Sequence, residues 1–272
     1  MTQPQPFTDL KTLFRNRKRA NPDALFLQRA AQSEVEDRLA MVNKTFRFPA
    51  IVAAHPSLWA HRFAQAKIVP EAETLTLEPG DHDLLIHSLG LHWANDPIGQ
   101  LIQCRRALAP DGLMLGVTFG GQTLHELRTC LAEAESAITG GLSPRVAPMA
   151  EIRDLGALLQ RAGFALPVAD CVPFRVVYQS MWHLMRDLRA MGETNVMVAR
   201  TQKPTRRAIL NRAADHYAKS FPAQQGGIIA TFELIVLTGW APDASQQKPM
   251  RPGSAQARLA DALQTHEKPL FD

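Results

Sequence analysis

The sequence predicts an α/β protein built on a mainly parallel sheet whose first half has been shortened. Three observations carry this. Short apolar runs alternate with segments of helical spacing, which is the pattern of βαβ units. Turn signals separate helices from the strands that follow, most clearly at Ala109-Pro110-Asp111-Gly112. Finally, four strand-like runs, at 48–54, 67–69, 74–77 and 83–88, crowd into little chain. Each strand, helix and pair of loops takes roughly 20 residues, so three crossovers need about 60. Only about 34 separate Pro49 from Asp83. At least one crossover helix is therefore missing, and the spacing places the gap between Val69 and Thr74.

Composition bounds the class. A hydrophobic fraction of 46% and a charged fraction of 21% are ordinary for a soluble globular chain, long enough here for one large domain with an appended lobe. No apolar run reaches the roughly 18 residues of a membrane span, and no apolar h-region marks a secretory signal. Cys104, Cys130 and Cys171 lack metal-ligand spacing, which fits a reducing compartment such as a bacterial cytoplasm. The net charge is +4. Much of the excess lies in Lys11, Arg15, Arg17, Lys18 and Arg19, with Arg206 and Arg207 as a second cluster. Without aromatic interleaving or a recognisable module, these read as solvated or partner-facing charges and not as a nucleic-acid surface.

In chain order, residues 1–10 are polar and expected to be irregular. Residues 22–42 have helical spacing, with Asn21 as cap and Pro22 in the first turn, within an N-terminal helical extension over 1–45. The main domain, 46–240, opens with the buried strand at 48–54. A helix over 57–66, a brief strand at 67–69 and an alternating strand at 74–77 follow. Then come the strand at 83–88, a helix over 97–108 and a strand at 113–119. Gly120-Gly121 opens a helix to about Ile138, and another spans 149–162. Strands at 171–178 and 227–237 enclose helices near 180–191 and 203–221, which together make a helical lobe between the last two strands. The tail, 241–272, reads as irregular with a short helix near 255–264. No internal repeat is visible.

The stretch DLLIHSLGLHWANDP (83–97) followed by CRRALAPDGLMLGVTFGGQTLHEL (104–127) resembles the second half of class I methyltransferases. In that Rossmann-like fold an acidic residue opens the fourth strand and a Trp-containing loop follows it. A helix then ends in R-x-L-x-P-x-G before the fifth strand, matched here by Arg106, Leu108, Pro110 and Gly112. Segments at both ends of the chain, among them MWHLMRDLRAMGETN (181–195) and FELIVLTGWAPDASQQKPMRPGSA (232–255), are similar to a narrower group. It holds the methyltransferase-fold assembly factor of mitochondrial complex I and its bacterial relatives, near the malonyl-carrier-protein methyltransferases of biotin synthesis.

Departures from the family's pattern fall on its cofactor segment. S-adenosylmethionine-binding members place a glycine-rich loop after the first strand, where bare backbone and a helix N-terminus meet the cofactor. Here the same place reads Ala53-Ala54-His55-Pro56, and no glycine precedes Gly80. Pro56 has no N–H to donate. Nor does a ribose-binding acid end the second strand, since Pro70 follows Val69; Glu71 and Glu73, next in line, are expected to be solvated loop charges, with ribose binding by either as the alternative. His55 reads as a helix-capping or surface histidine, with a catalytic role as the alternative. His92 and Trp93, after the fourth strand with Ser88, are candidates for the substrate side, His92 also as a general base. His82, Asp83 and His87 do not form a convincing iron-binding pattern, so no metal is expected. Trp59, Trp182 and Trp240 read as core or lobe anchors. Cys104, within a helix, and Cys171, opening a strand, do not look like nucleophiles.

The resemblance then implies a methyltransferase-fold protein that has given up methyl transfer and acts as an assembly or interaction factor. Its partner would be a subunit of respiratory NADH:quinone oxidoreductase, met through the Met- and Arg-rich lobe at 181–220. Such a chain needs no cofactor and would reside in a bacterial cytoplasm or a mitochondrial matrix. Two alternatives stay open. One is an S-adenosylmethionine-dependent methyltransferase acting on a protein or small acyl substrate; the other is an arginine hydroxylase.

Overall fold

The computed structural model describes residues 5–247, 253–254 and 258–266. One six-stranded sheet runs in the order β2-β1-β3-β4-β6-β5. Its parallel part comprises β1 (Pro49–Ala53), β2 (Lys67–Val69), β3 (His82–Ser88) and β4 (Leu108–Phe119). β5 (Ala165–Tyr178) pairs antiparallel with β6 (Ile228–Trp240), which itself pairs antiparallel with β4. All five residues of β1 are buried. A strand covered on both faces must be apolar throughout, and PAIVA is.

Alternate residues of β1 feed two cores. Ile51 and Ala53 join Leu27, Leu127, Leu184 and Tyr217 on one face. Those side chains come from α2 (Phe26–Met41), α5 (His125–Thr139), α7 (Met181–Ala190) and α8 (Arg207–Ser220). Ala50 and Val52 join Leu101, Leu155 and Leu159 on the other, from α4 (Pro97–Ala107) and α6 (Ile152–Arg161). The helical lobe between the last two strands is thus α7 and α8. α1 (Leu10–Lys18) and α3 (Pro56–Ala60) complete the set before the tail. Asp96 caps α4 by accepting from Gly99 N at 2.8 Å, with Pro97 in the first turn.

Several expectations need correction. The alternating segment 74–77 forms no strand, so β2 leads to β3 without either a third strand or a crossover helix. Only Leu75 of the four is buried, and its N–H donates to Gln103 Oε1 at 2.8 Å instead of to a neighbouring strand. The helix expected over 57–66 stops at Ala60, and tight turns bring Lys67 into register beside Ala50. α5 starts at His125 and not at Gly120-Gly121. These glycines admit carboxylates: a Cβ on either would stand 2.3 Å from Glu233 Oε2 or 2.2 Å from Glu151 Oε1. α6 starts at Ile152, and β5 at Ala165, which places Cys171 inside that strand and not at its opening.

Within the segment expected to be irregular, Thr8 bridges to Met197 and Asp9 caps α1. Trp182, expected as an anchor, is 40% exposed. Residues 243–272 form a separate compact unit. Among its described residues are a turn in which Ser245 donates to Asp243, and α9 (Leu259–Ala262). Residues 248–252 and 255–257, which carry part of the tail motif and of the helix expected near 255–264, lie outside the described residues. No helix among the described residues is long and apolar enough to cross a membrane.

Candidate functional site

The carboxyl ends of β1 and β3 are where an open α/β sheet builds its sites. Here that place is reached by Arg17, from outside the sheet. Leu13 and Arg17 stand one helical turn apart and are the buried residues of α1. The Arg17 guanidinium pairs with Glu71, just beyond β2, and with Glu193, just beyond α7. Its Nε donates to Glu193 Oε1 at 2.9 Å, and its Nη2 to the Leu89 carbonyl at 3.0 Å. Trp93 Nε1 donates to the other Glu193 oxygen at 2.8 Å. Two glycines make room. A Cβ on Gly192 would stand 2.9 Å from Arg17 Cα, and one on Gly90 would stand 2.4 Å from Glu71 Oε1.

Charges in this cluster depart from their ordinary behaviour. Burial opposes the Arg17 charge, but Glu193 and Glu71 outweigh it and hold the guanidinium above its usual value. Burial also works against Glu193, where Arg17 prevails and keeps the carboxyl below the ordinary range. Glu71 goes the other way. Burial pushes it up to about 7 despite Arg17, and Oε1 has no hydrogen-bond partner. Both the expectation of a solvated Arg17 and that of a solvated Glu71 are therefore wrong, whereas Glu73 is exposed.

Of the residues singled out in the sequence, Ala53 ends β1 buried and pairs in register with Ser88, which ends β3 with its hydroxyl buried and unpartnered. Ala54 and His55 follow, and Pro56 opens the five-residue α3. His55 sits at the cap position but makes no side-chain cap bond; burial, then the nearby Arg17 charge, lower its pKa. His82 and Asp83 serve the strand opening, the one bonding Phe48 O and the other accepting from Arg47 and Phe48 N–H groups. His87 Nε2 meets Gln100 Oε1 at 2.9 Å, and burial lowers its pKa to about 4. Among the described residues no His, Cys, Asp and Glu group of three or more is arranged for a metal.

His92 and Trp93 reach the network itself. His92 lies 3.8 Å from Glu193, too far for a hydrogen bond, and both ring nitrogens are buried without partners. Burial holds it neutral by lowering its pKa. It lies edge-on to Phe119 at 4.8 Å and lines a cavity of about 220 Å³. Leu127, Met185 and Phe232 give that cavity apolar walls; Glu193, Arg145 and Arg189 add charge. A neutral imidazole there can donate or accept one hydrogen bond, or take a proton, from whatever occupies the space.

The structure thus joins His92 and Trp93 to Glu71, weighed in the sequence only for ribose binding, and to Arg17 and Glu193, which the sequence had not marked as site residues. For Arg17 a signal existed: Leu10, Leu13 and Arg17 share one helical stripe, so an arginine ends an apolar face.

No protein-family model matches the chain. Among solved structures, the YcgJ protein of Bacillus subtilis aligns at 12% identity and a TM-score of 0.48, over 77% of this chain and 97% of that one. Phosphoethanolamine N-methyltransferase 2 of Haemonchus contortus aligns at 13% identity and a TM-score of 0.43, over 78% and 53%. Sequence relatives are nearer. The protein named "Arginine-hydroxylase NDUFAF5, mitochondrial" is 38% identical over 194 residues in Danio rerio, 71% of this chain and 60% of that protein. In Mus musculus it is 39% identical over 212 residues, 74% and 60%. Malonyl-[acyl-carrier protein] O-methyltransferase of Laribacter hongkongensis is 32% identical over 190 residues, 70% and 61%. The chain spans about 60% of the length of these curated relatives. It is a homologue of both groups, the arginine-hydroxylase proteins and the malonyl-carrier-protein methyltransferases, built on the class I methyltransferase fold.

Proposed function

We propose that this chain is a methyltransferase-fold protein that acts by binding a protein partner and does not transfer methyl groups. The observation that carries the reading is Arg17, buried among Glu71, Glu193 and the Leu89 carbonyl at the carboxyl end of β3. A cofactor brought there would have to displace a buried guanidinium already paired with two carboxylates. Ala53-Ala54-His55-Pro56 adds no glycine and loses one N–H, and α3 offers only five residues of helix. On this reading these residues do not fit S-adenosylmethionine. Calorimetric titration tests it: no saturable heat is expected at millimolar S-adenosylmethionine. Saturation at micromolar concentration would overturn the reading and return methyl transfer to a protein or small acyl substrate.

The partner follows from the resemblance, which implies a subunit of respiratory NADH:quinone oxidoreductase, in a bacterial cytoplasm or mitochondrial matrix. The lobe supports this, because Trp182, Arg186 and Arg189 are exposed on α7, and Trp and Arg are favoured interface residues. Cross-linking from Trp182 substituted by a photoreactive aromatic is expected to capture a subunit of that complex. Capture of none counts against it.

A second reading is favoured by the arginine-hydroxylase relatives, 38% and 39% identical to this chain. As an arginine hydroxylase the chain would insert one oxygen atom into a partner's arginine, and would need an oxidant and a reductant from outside. Mass spectrometry of a co-expressed partner subunit decides: an arginine heavier by one oxygen supports hydroxylation, and unmodified arginine sinks it.

A further inference from the structure

A second cavity, of about 150 Å³, opens between α1, the segment after β2 and the start of α4. Its lining carries three carboxylates, Glu71, Glu73 and Asp96, and no lysine, arginine or histidine. That is a concentration of negative charge in a chain whose net charge is +4. Two of the three are occupied. Asp96 caps α4, and Glu73 Oε1 accepts from Asn95 Nδ2 at 3.5 Å. Glu71 is different: its side chain is 7% exposed, Oε2 takes Arg17, and Oε1 is buried with no hydrogen-bond partner. Gln100, also on the lining, spends its amide on Ala72 O and His87.

A carboxylate oxygen accepts only, and leaving it bare in a desolvated place is costly. The group that satisfies it must donate, and three carboxylates without a lining cation select a positive donor over a neutral or anionic one. Around the acids, Leu10, Phe14 and Trp93 supply apolar and aromatic surface. Such surface takes an aliphatic stem and favours a cationic head.

We propose that this cavity binds an alkyl cation, a protonated amine or a guanidinium on a short aliphatic stem, whose head donates to Glu71 Oε1. The stem lies against Leu10, Phe14 and Trp93. The cation is either a lysine or arginine side chain of a protein or a free diamine, which share this chemistry. The site does not rest on the loss of methyl transfer and stands whichever way the S-adenosylmethionine titration falls.

The test titrates the full chain at pH 8 with n-butylammonium and n-butylguanidinium, with uncharged n-butanol as control. Saturable one-to-one binding of the cations is expected, and none of butanol. Glu71→Gln and Gly90→Ala, whose methyl displaces the Glu71 carboxylate, should each weaken binding about tenfold. Should these two variants fail to fold, Glu73→Gln at the exposed rim should still weaken it severalfold. Butanol binding as well as the cations, no saturation at tens of millimolar, or unchanged affinity in the folded variants overturns the proposal. Tighter binding of N-acetyl-lysine N-methylamide than of putrescine assigns the site to a protein side chain, and the reverse to a free diamine.

Discussion

Arg17 sits in a basic run whose other members, Lys11, Arg15, Lys18 and Arg19, are exposed, while its own side chain is 3% exposed. Its partners lie 54 and 176 residues away in sequence. That separation explains why the pairing was illegible: composition shows a surface-like charge cluster, and nothing local says which arginine turns inward. His92 and Trp93 were legible because they follow a strand in a resembling motif. What they touch was not. Removing one partner from a buried ion network strands the others, at about 3–5 kcal/mol. Arg17→Met is therefore expected to lower unfolding stability by that much in urea titrations. Arg17→Met combined with Glu71→Gln should lose less than Arg17→Met alone, because one stranded carboxylate has been neutralised. A single-variant loss within about 0.5 kcal/mol of zero would mean that water already enters the cluster.

At the scale of elements, the apolar strands β1, β3 and β4 and the helix α4 could be read in the sequence because local pattern and burial agree there, whereas 109–112, read as a turn, lie inside β4. Residues 74–77 show the limit. Their alternation states a local preference, but a strand also needs a paired neighbour, and this stretch instead leans on α4. Gln100 Nε2 donates to Ala72 O, Gln103 Nε2 donates to Glu73 O, and Gln103 Oε1 accepts from Leu75 N. Two glutamine side chains thus satisfy three backbone groups, on Ala72, Glu73 and Leu75, in place of a strand ladder. Gln100 is buried and also serves His87, so Gln100→Ala should cost about 2 kcal/mol by leaving both partners bare. Gln103 lies nearer solvent, and Gln103→Ala should cost about 1 kcal/mol. Thermal unfolding checks the order; a larger loss for Gln103 would show that the segment is held elsewhere.

Across the whole molecule, net charge was legible and the placement of opposing charges was not, although placement governs how stability responds to pH. His87 is neutral when folded, with a pKa near 4 against an ordinary 6.5, because burial penalises its charge. As pH falls from 6.5 toward 4 the unfolded chain takes up a proton that the folded chain refuses, so stability is lost on acidification. His92 and His55, also lowered by burial, act in the same direction. Glu71 acts oppositely. Its folded value of about 7 exceeds the ordinary 4.5, so the folded chain holds a proton that the unfolded chain releases, and stability is lost as pH rises from 4.5 to 7. Either residue alone is worth about 3 kcal/mol over its window. The native chain should therefore gain less stability between pH 4.5 and 6.5 than its buried histidines alone would give, because the Glu71 contribution opposes theirs. Glu71→Gln removes the opposing one, and its stability should climb through that window more steeply than the native chain's by about 1 kcal/mol per pH unit. His87→Gln, which can still bond Gln100, should instead fall relative to the native chain as pH rises. Urea unfolding at four pH values separates these outcomes, and parallel profiles for all three proteins would mean that neither residue is buried as the fold places it.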